Sequence, residues 1–129
     1  MFKYTVKYTN YEGEERERTL YFNLNAAEII EMDVMHNGKF VARLQQIAKS
    51  GDGKKILTEF KKIMRKAYGV KSEDGERFIK NNEVWTEFEQ SEAYNEFFQK
   101  LLDGDFAAKF INGLMPKVPQ DHQQKKLES

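Results

Sequence analysis

The chain holds few residues that could do chemistry. It has two histidines, His36 and His122, and no cysteine. Neither histidine has a second His, a Cys or an acidic residue at the spacing that zinc ligand sets use. No Gly-x-Ser-x-Gly, phosphate-loop or dinucleotide-binding glycine pattern occurs. The densest carboxylates are Glu87, Glu89, Glu92 and Glu96. Two carboxylates can act as general acid and base when burial raises the pKa of one. Here the apolar stripe lies elsewhere and Gln90-Ser91 interrupts the run, so these residues read as a solvated face. Asp52 and Asp74 each stand near a glycine, but the ladder of oxygen ligands that a calcium loop needs is missing. The expectation is no catalytic, metal-binding or cofactor-binding residue.

Binding is better represented than catalysis. Lys54, Lys55, Lys61, Lys62, Arg65 and Lys66 fall on one helical stretch, where they could form an electrostatic face that tracks phosphates. No exposed aromatic is interleaved with them, and the segment that follows is acidic. Residues 51–67 carry a net charge of +4 and residues 68–105 a net charge of −6. A nucleic-acid partner is therefore disfavoured, and the contrast suits pairing between segments or between subunits. With 13% aromatic residues, some rings are expected to lie outside the core. Trp85, Phe98, Leu102 and Phe106 stand near helix ends and are the candidate partner-binding residues; exposed, they would make an interaction patch.

Composition bounds the rest. The 129 residues suit one domain large enough to need no disulfide or metal staple. Lys plus Arg and Asp plus Glu number 21 each, so the chain lacks the basic surplus of a non-specific nucleic-acid binder. Charges interrupt each apolar run well short of the ~18 residues that a membrane span requires. The opening MFKYTVKYT alternates and has no continuous apolar core of a signal peptide, so the chain is expected to stay in the cytoplasm that made it.

The elements follow from periodicity. Phe2, Tyr4, Val6 and Tyr8 alternate with Lys3, Thr5, Lys7 and Thr9, which predicts a half-buried strand. Residues 16–24 read as its antiparallel partner, with Leu20, Phe22 and Leu24 inward. Asn25, with Glu28 three residues on, signals a helix start; that helix carries Ile29, Ile30, Met32 and Val34. Asn37-Gly38 ends it. Phe40, Val41, Leu44, Ile47 and Ala48 stripe the next helix, which Ser50–Gly53 breaks. Residues 54–67 make the cleanest amphipathic helix, with Ile56, Leu57, Phe60, Ile63, Met64 and Ala67 on one side. Tyr68-Gly69 should end it, Lys71–Gly75 reads as a polar turn, and Phe78-Ile79 as a short apolar lead-in. Three short helices follow, capped by Asn81 or Asn82, by Ser91 and by Asp105, with Gly104 in a left-handed position between the last two. Residues 117–129 are polar and read as a disordered tail beyond a domain of residues 1–116. The fold class is α+β: an N-terminal antiparallel β-hairpin followed by five or six mostly short helices.

Three stretches carry a resemblance: FKYTVKYTNYEGEERERTLYFNLN at the start, GDGKKILTEFKKIMRKAYGVKSEDGERFIKNNEVWTEFEQSEAYNEFF in the middle, and FAAKFINGLMPK near the end. Over Phe2 to Lys117 the chain resembles the tail assembly chaperones of long-tailed phages and prophages of Gram-positive bacteria. The resemblance implies a non-enzymatic protein that binds the aggregation-prone tape measure protein during tail tube polymerisation. It implies residence in the host cytoplasm and absence from the finished virion. Related chaperones are made in two lengths by a translational frameshift, for which Lys125-Lys126 would mark an A-rich slippery run. The alternative reading is a small phage nucleic-acid-binding or regulatory protein using residues 54–66.

Overall fold

The computed structural model describes residues 1–115; the expected tail at 117–129 lies outside them. β1 (Phe2–Thr9) and β2 (Glu15–Phe22) form the antiparallel hairpin that the alternation predicts, in unbroken register from Phe2 opposite Phe22 to Thr9 opposite Glu15. The Asn10 side chain shapes the turn by accepting the backbone N–H groups of Glu12 and Glu14 at 3.0 and 2.9 Å. The outer face is polar, and the Thr5 and Thr19 hydroxyls meet across the strands at 3.0 Å. The inner face presents Leu20 and Phe22, both with no exposed surface, to the helices.

Six helices follow among the described residues: α1 (Ala26–Met35), α2 (Phe40–Ser50), α3 (Gly53–Ala67), α4 (Asn82–Glu89), α5 (Glu92–Leu101) and α6 (Gly104–Leu114). Asn25 caps α1 in a full capping box. Its side chain accepts the Glu28 N–H at 2.9 Å, and the Glu28 carboxylate accepts the Asn25 N–H at 3.0 Å. Lys80 adds a tertiary clamp, donating to both Glu28 oxygens at 2.7 and 2.8 Å and to the Asn23 carbonyl at 3.0 Å. Asp52, Asn81 and Ser91 cap α3, α4 and α5.

Two elements depart from expectation by being strands. β3 (Tyr68–Lys71) follows α3 without a loop and β4 (Phe78–Ile79) returns beside it, so the hairpin grows into a four-stranded sheet of order β1-β2-β3-β4. The join is narrow: Phe22 pairs with Tyr68 and Tyr21 with Gly69. Gly69 is needed because a Cβ there would stand 2.6 Å from the Phe78 ring and 2.7 Å from the Ile79 carbonyl. The last helix also differs in detail. Asp103, not Asp105, caps α6, and Gly104 lies inside its first turn. The glycine serves close approach there: a Cβ would sit 2.5 Å from the Ala48 carbonyl oxygen on α2.

The core is aromatic. Phe22 stacks on Phe97 of α5 at 4.7 Å and takes the edges of Phe110 of α6 at 5.2 Å and Tyr68 of β3 at 5.4 Å. Each such contact adds about 0.5–1.5 kcal/mol to the value of the buried area. Tyr68 in turn stacks on Phe88 of α4 at 4.2 Å, and its hydroxyl accepts Arg18 Nη2 at 2.9 Å. Arg18 is also paired with the Glu87 carboxylate. All of the buried side chains among the described residues belong to apolar or aromatic residue types.

Two outcomes follow from this packing. Gly104→Ala forces a methyl group onto a backbone carbonyl that cannot swing away, so thermal or denaturant unfolding should show a loss of about 1–3 kcal/mol. Gly53→Ala, where nothing lies within 4 Å of the added atom, should leave stability unchanged or slightly raised. Burial raises the pKa of Tyr68 above the 10.0 of a free tyrosine, with the Arg18 charge pulling partly the other way. Burial also raises that of Tyr94, and the charge of Glu89 adds to it. The unfolded chain releases these protons from about pH 10 while the folded chain holds them. Stability is therefore intact below pH 10 and falls as pH rises through the folded-state values. Tyr94→Phe should keep the neutral-pH denaturation midpoint and lessen the alkaline fall; an unchanged alkaline slope would refute the assignment.

Candidate protein-interaction surfaces

The groups that could carry chemistry are dispersed. His36 follows α1, where its Nδ1 lies 2.8 Å from the Met32 carbonyl and its ring packs on Phe40 at 5.4 Å. Glu87 is engaged by Arg18, and Glu89 and Glu92 lie on different helices, separated at Gln90-Ser91 as the sequence suggests. Among the described residues no three His, Cys, Asp or Glu side chains gather as a metal site would require. His122 lies outside the described residues. Two open grooves are present. One, of about 480 Å³, runs by Lys7, Glu15, Arg16, Glu17 and Glu96 at the hairpin; the other, of about 680 Å³, lies by Arg43, Ile47, Lys54, Lys55 and Glu59 between α2 and α3. In the second, Arg43 is paired with Glu59 at 3.4 Å.

The four residues proposed as partner contacts occupy different environments. Trp85 is only 4% exposed and sits between Tyr68, Phe88 and Tyr94, with the Arg65 guanidinium over its ring at 5.8 Å. Among the described residues its buried indole N–H has no hydrogen-bond partner. Phe98 is half-buried and stacks on Tyr94 at 5.5 Å. Leu102, one helical turn on, is 44% exposed at the end of α5. Phe106, half-buried in the first turn of α6, packs its edge on Tyr4 at 5.2 Å. The α5–α6 corner thus presents Phe98, Leu102 and Phe106 in part, while Trp85 faces inward. Sequence spacing cannot separate these cases, because buried and exposed anchors share the same helical period.

The basic face forms as expected on α3. Lys54, Lys55, Lys61, Lys62, Arg65 and Lys66 are all exposed. The ion pairs among the described residues are Arg16–Glu14, Arg18–Glu87, Arg43–Glu59 and Lys80–Glu28, so none of the six is engaged by a carboxylate. Arg65 donates instead to the Asn82 side-chain oxygen at 3.4 Å.

The structure also reveals an apolar surface on α1 that the sequence analysis did not single out. Of Ile29, Ile30, Met32 and Val34 on α1, only Met32 is fully buried. Ile30 is 62%, Val34 75% and Met35 81% exposed. A signal was present: the apolar residues of this ten-residue helix are spread around its circumference, so a helix at the margin of a domain cannot bury them all. Leu57, placed by its spacing on the apolar side of α3, is 38% exposed.

Among the described residues no helix is long and apolar enough to cross a membrane. No curated protein and no solved structure matches the chain. A family model described as phage tail assembly chaperone matches residues 1–128, which takes in the whole sheet and all six helices. The chain belongs to the phage tail assembly chaperone family.

Proposed function

We propose that this protein binds the tape measure protein and keeps it soluble during tail tube assembly, without catalysis, in the host cytoplasm and outside the finished virion. Family membership supports the assembly role. The observation that carries the client reading is the partly exposed apolar corner at Phe98, Leu102 and Phe106, set in a surface of mixed charge. A long helical client would lay apolar residues at i, i+3 or i+4 spacing into such a corner. Trp85 supports the corner from beneath through Tyr94, on which Phe98 stacks.

A second reading uses the solvated cations of α3 to hold nucleic acid. It requires a gel shift whose affinity falls steeply with salt. A shift that persists at high salt, or none at all, removes it.

Co-expression with a tape measure fragment tests the main reading. The wild-type chain should keep the fragment in the soluble fraction. Leu102→Asp should lose most of that protection, because truncating a central contact costs about 2 kcal/mol or more of binding. Leu102 is 44% exposed, so the variant's own unfolding should shift by no more than about 0.5 kcal/mol. Equal precipitation of the fragment with and without the wild-type protein would defeat the proposal.

A further inference from the structure

The chain holds five Asn-Gly or Asp-Gly pairs: Asn37-Gly38, Asp52-Gly53, Asp74-Gly75, Asp103-Gly104 and Asn112-Gly113. Such pairs share one reactivity. A glycine has no side chain in the way, so its backbone nitrogen can reach the side-chain carbonyl carbon of the residue before it and close a succinimide ring. Asparagine reacts more readily than aspartate, because it releases neutral ammonia and needs no protonation of a carboxylate. The fold restrains four of the five pairs. Asp52 accepts the Lys54 and Lys55 N–H groups at 3.1 and 3.3 Å, and Asp103 accepts that of Asp105 at 3.0 Å. Asp74 accepts the Ser72 hydroxyl at 2.6 Å and the Glu76 N–H at 3.0 Å. Asn112 lies within α6 and accepts a Gln45 side-chain N–H at 3.2 Å, while Gly113 is pressed against the Phe2 ring.

Asn37 is the exception. It is exposed in the turn between α1 and α2, and its side chain has no hydrogen-bond partner among the described residues. Its φ of 55° is the only positive value at a non-glycine residue among them. Gly38 is exposed too, with nothing within 4 Å of the place that a Cβ would take. One bond guards the reacting nitrogen: the Gly38 N–H donates to the Asp33 carbonyl at 2.7 Å. That bond closes the last turn of α1, where Val34 and Met35 are 75% and 81% exposed. Little apolar burial holds the turn shut, so it belongs to the parts of a fold that open most often.

We propose that Asn37 is a modification site, which converts to aspartate and isoaspartate in the folded chain with water as the only co-reactant. When the last turn of α1 opens, the Gly38 nitrogen gives its proton to solvent and attacks Cγ of Asn37. The N–Cγ bond forms, the Cγ–Nδ2 bond breaks, and the amide nitrogen takes up a proton and leaves as ammonia. Water then opens the ring. Cleavage at Cγ gives aspartate, and cleavage at the main-chain carbonyl gives isoaspartate, whose main chain runs through Cβ and Cγ. Either product sets a carboxylate at the C-terminal end of α1, where the helix dipole disfavours it. Isoaspartate also lengthens the main chain by one carbon. The turn then cannot keep both the Gly38 bond to the Asp33 carbonyl and the 3.3 Å bond from the Phe40 N–H to the Asp33 carboxylate. The junction of α1 with α2 loosens as the protein ages. This inference does not rest on client binding and concerns different residues from the α5–α6 corner.

Incubation of the full folded chain at mildly alkaline pH, followed by mass spectrometry of its peptides, tests the proposal. The peptide that holds Asn37 should gain one mass unit, faster as pH rises, and a protein isoaspartyl methyltransferase should then label it. Asn112 should react at least about tenfold more slowly in the folded chain, because a helix interior opens less often than a helix end. Urea should abolish that difference. Hydrogen exchange of the α1 amides should quicken in the aged wild-type chain. Fresh Asn37→Asp protein carries the charge without the longer main chain, and its α1 amides should stay closer to those of the fresh wild type. A folded chain in which Asn37 gains no mass, while the urea-treated chain does, overturns the proposal. So does a folded chain in which Asn112 reacts as fast as Asn37. Aged protein that carries the methyl label but exchanges its α1 amides like fresh protein overturns the loosening.

Discussion

The stacking of Phe22 on Phe97 is the contact from which the rest of the molecule is hung. Phe22 is the last residue of β2, at the point where the chain leaves the hairpin for its helices. Around that ring meet Phe97 of α5, Phe110 of α6, Tyr68 of β3 and Phe88 of α4. A hairpin by itself is marginal in water, so it persists because these rings dry its inner face. Concentrating aromatic burial at one point also leaves the periphery thinly supplied. α1 lies at that periphery, which is why its apolar residues outnumber the places available to bury them.

Much of this was legible beforehand, for physical reasons that differ by element. Strict alternation over Phe2–Thr9 leaves only one way to place the dry face, so the hairpin and its inward Leu20 and Phe22 followed from it, while the pairing register did not. The α3 stripe and the caps at Asn25 and Ser91 were readable, as was a cap at Asn81 or Asn82 that the structure places at Asn81, because a helix must satisfy its first N–H groups locally. β3 and β4 were not readable. They are short, they show no alternation, and they exist because Phe22 and Tyr21 offer an edge distant in sequence. Gly104 misled for a similar reason: a glycine needed for close approach to another helix looks the same in sequence as one needed for a left-handed turn.

The candidate surfaces divide in the same manner. The six cations of α3 could be placed outward with safety, because unpaired charges resist burial. Aromatic residues carry no such instruction. Trp85 and Leu102 both read from the sequence as apolar residues near helix ends, yet one is enclosed by three rings and the other meets solvent. What separates them is the reach of Tyr68 and Tyr94 across Trp85, a tertiary fact. Membership of the tail assembly chaperone family implies protein partners in tail assembly, for which the outward apolar residues are candidate contacts.

The contact between α6 and the start of β1 has a consequence in time. Gly113 lies so close to Phe2 that a Cβ would come within 2.5 Å of its ring, and Phe106 and Phe110 flank the same ring. The hairpin and the individual helices can form from neighbouring residues early, but the cage around Phe2 waits for residues more than a hundred positions later in the chain. Closure of so long a loop is the slow kind of event in folding. Until it happens the dry side of the young hairpin stays open, and the chain passes through an interval in which its own apolar surface can meet other unfolded chains.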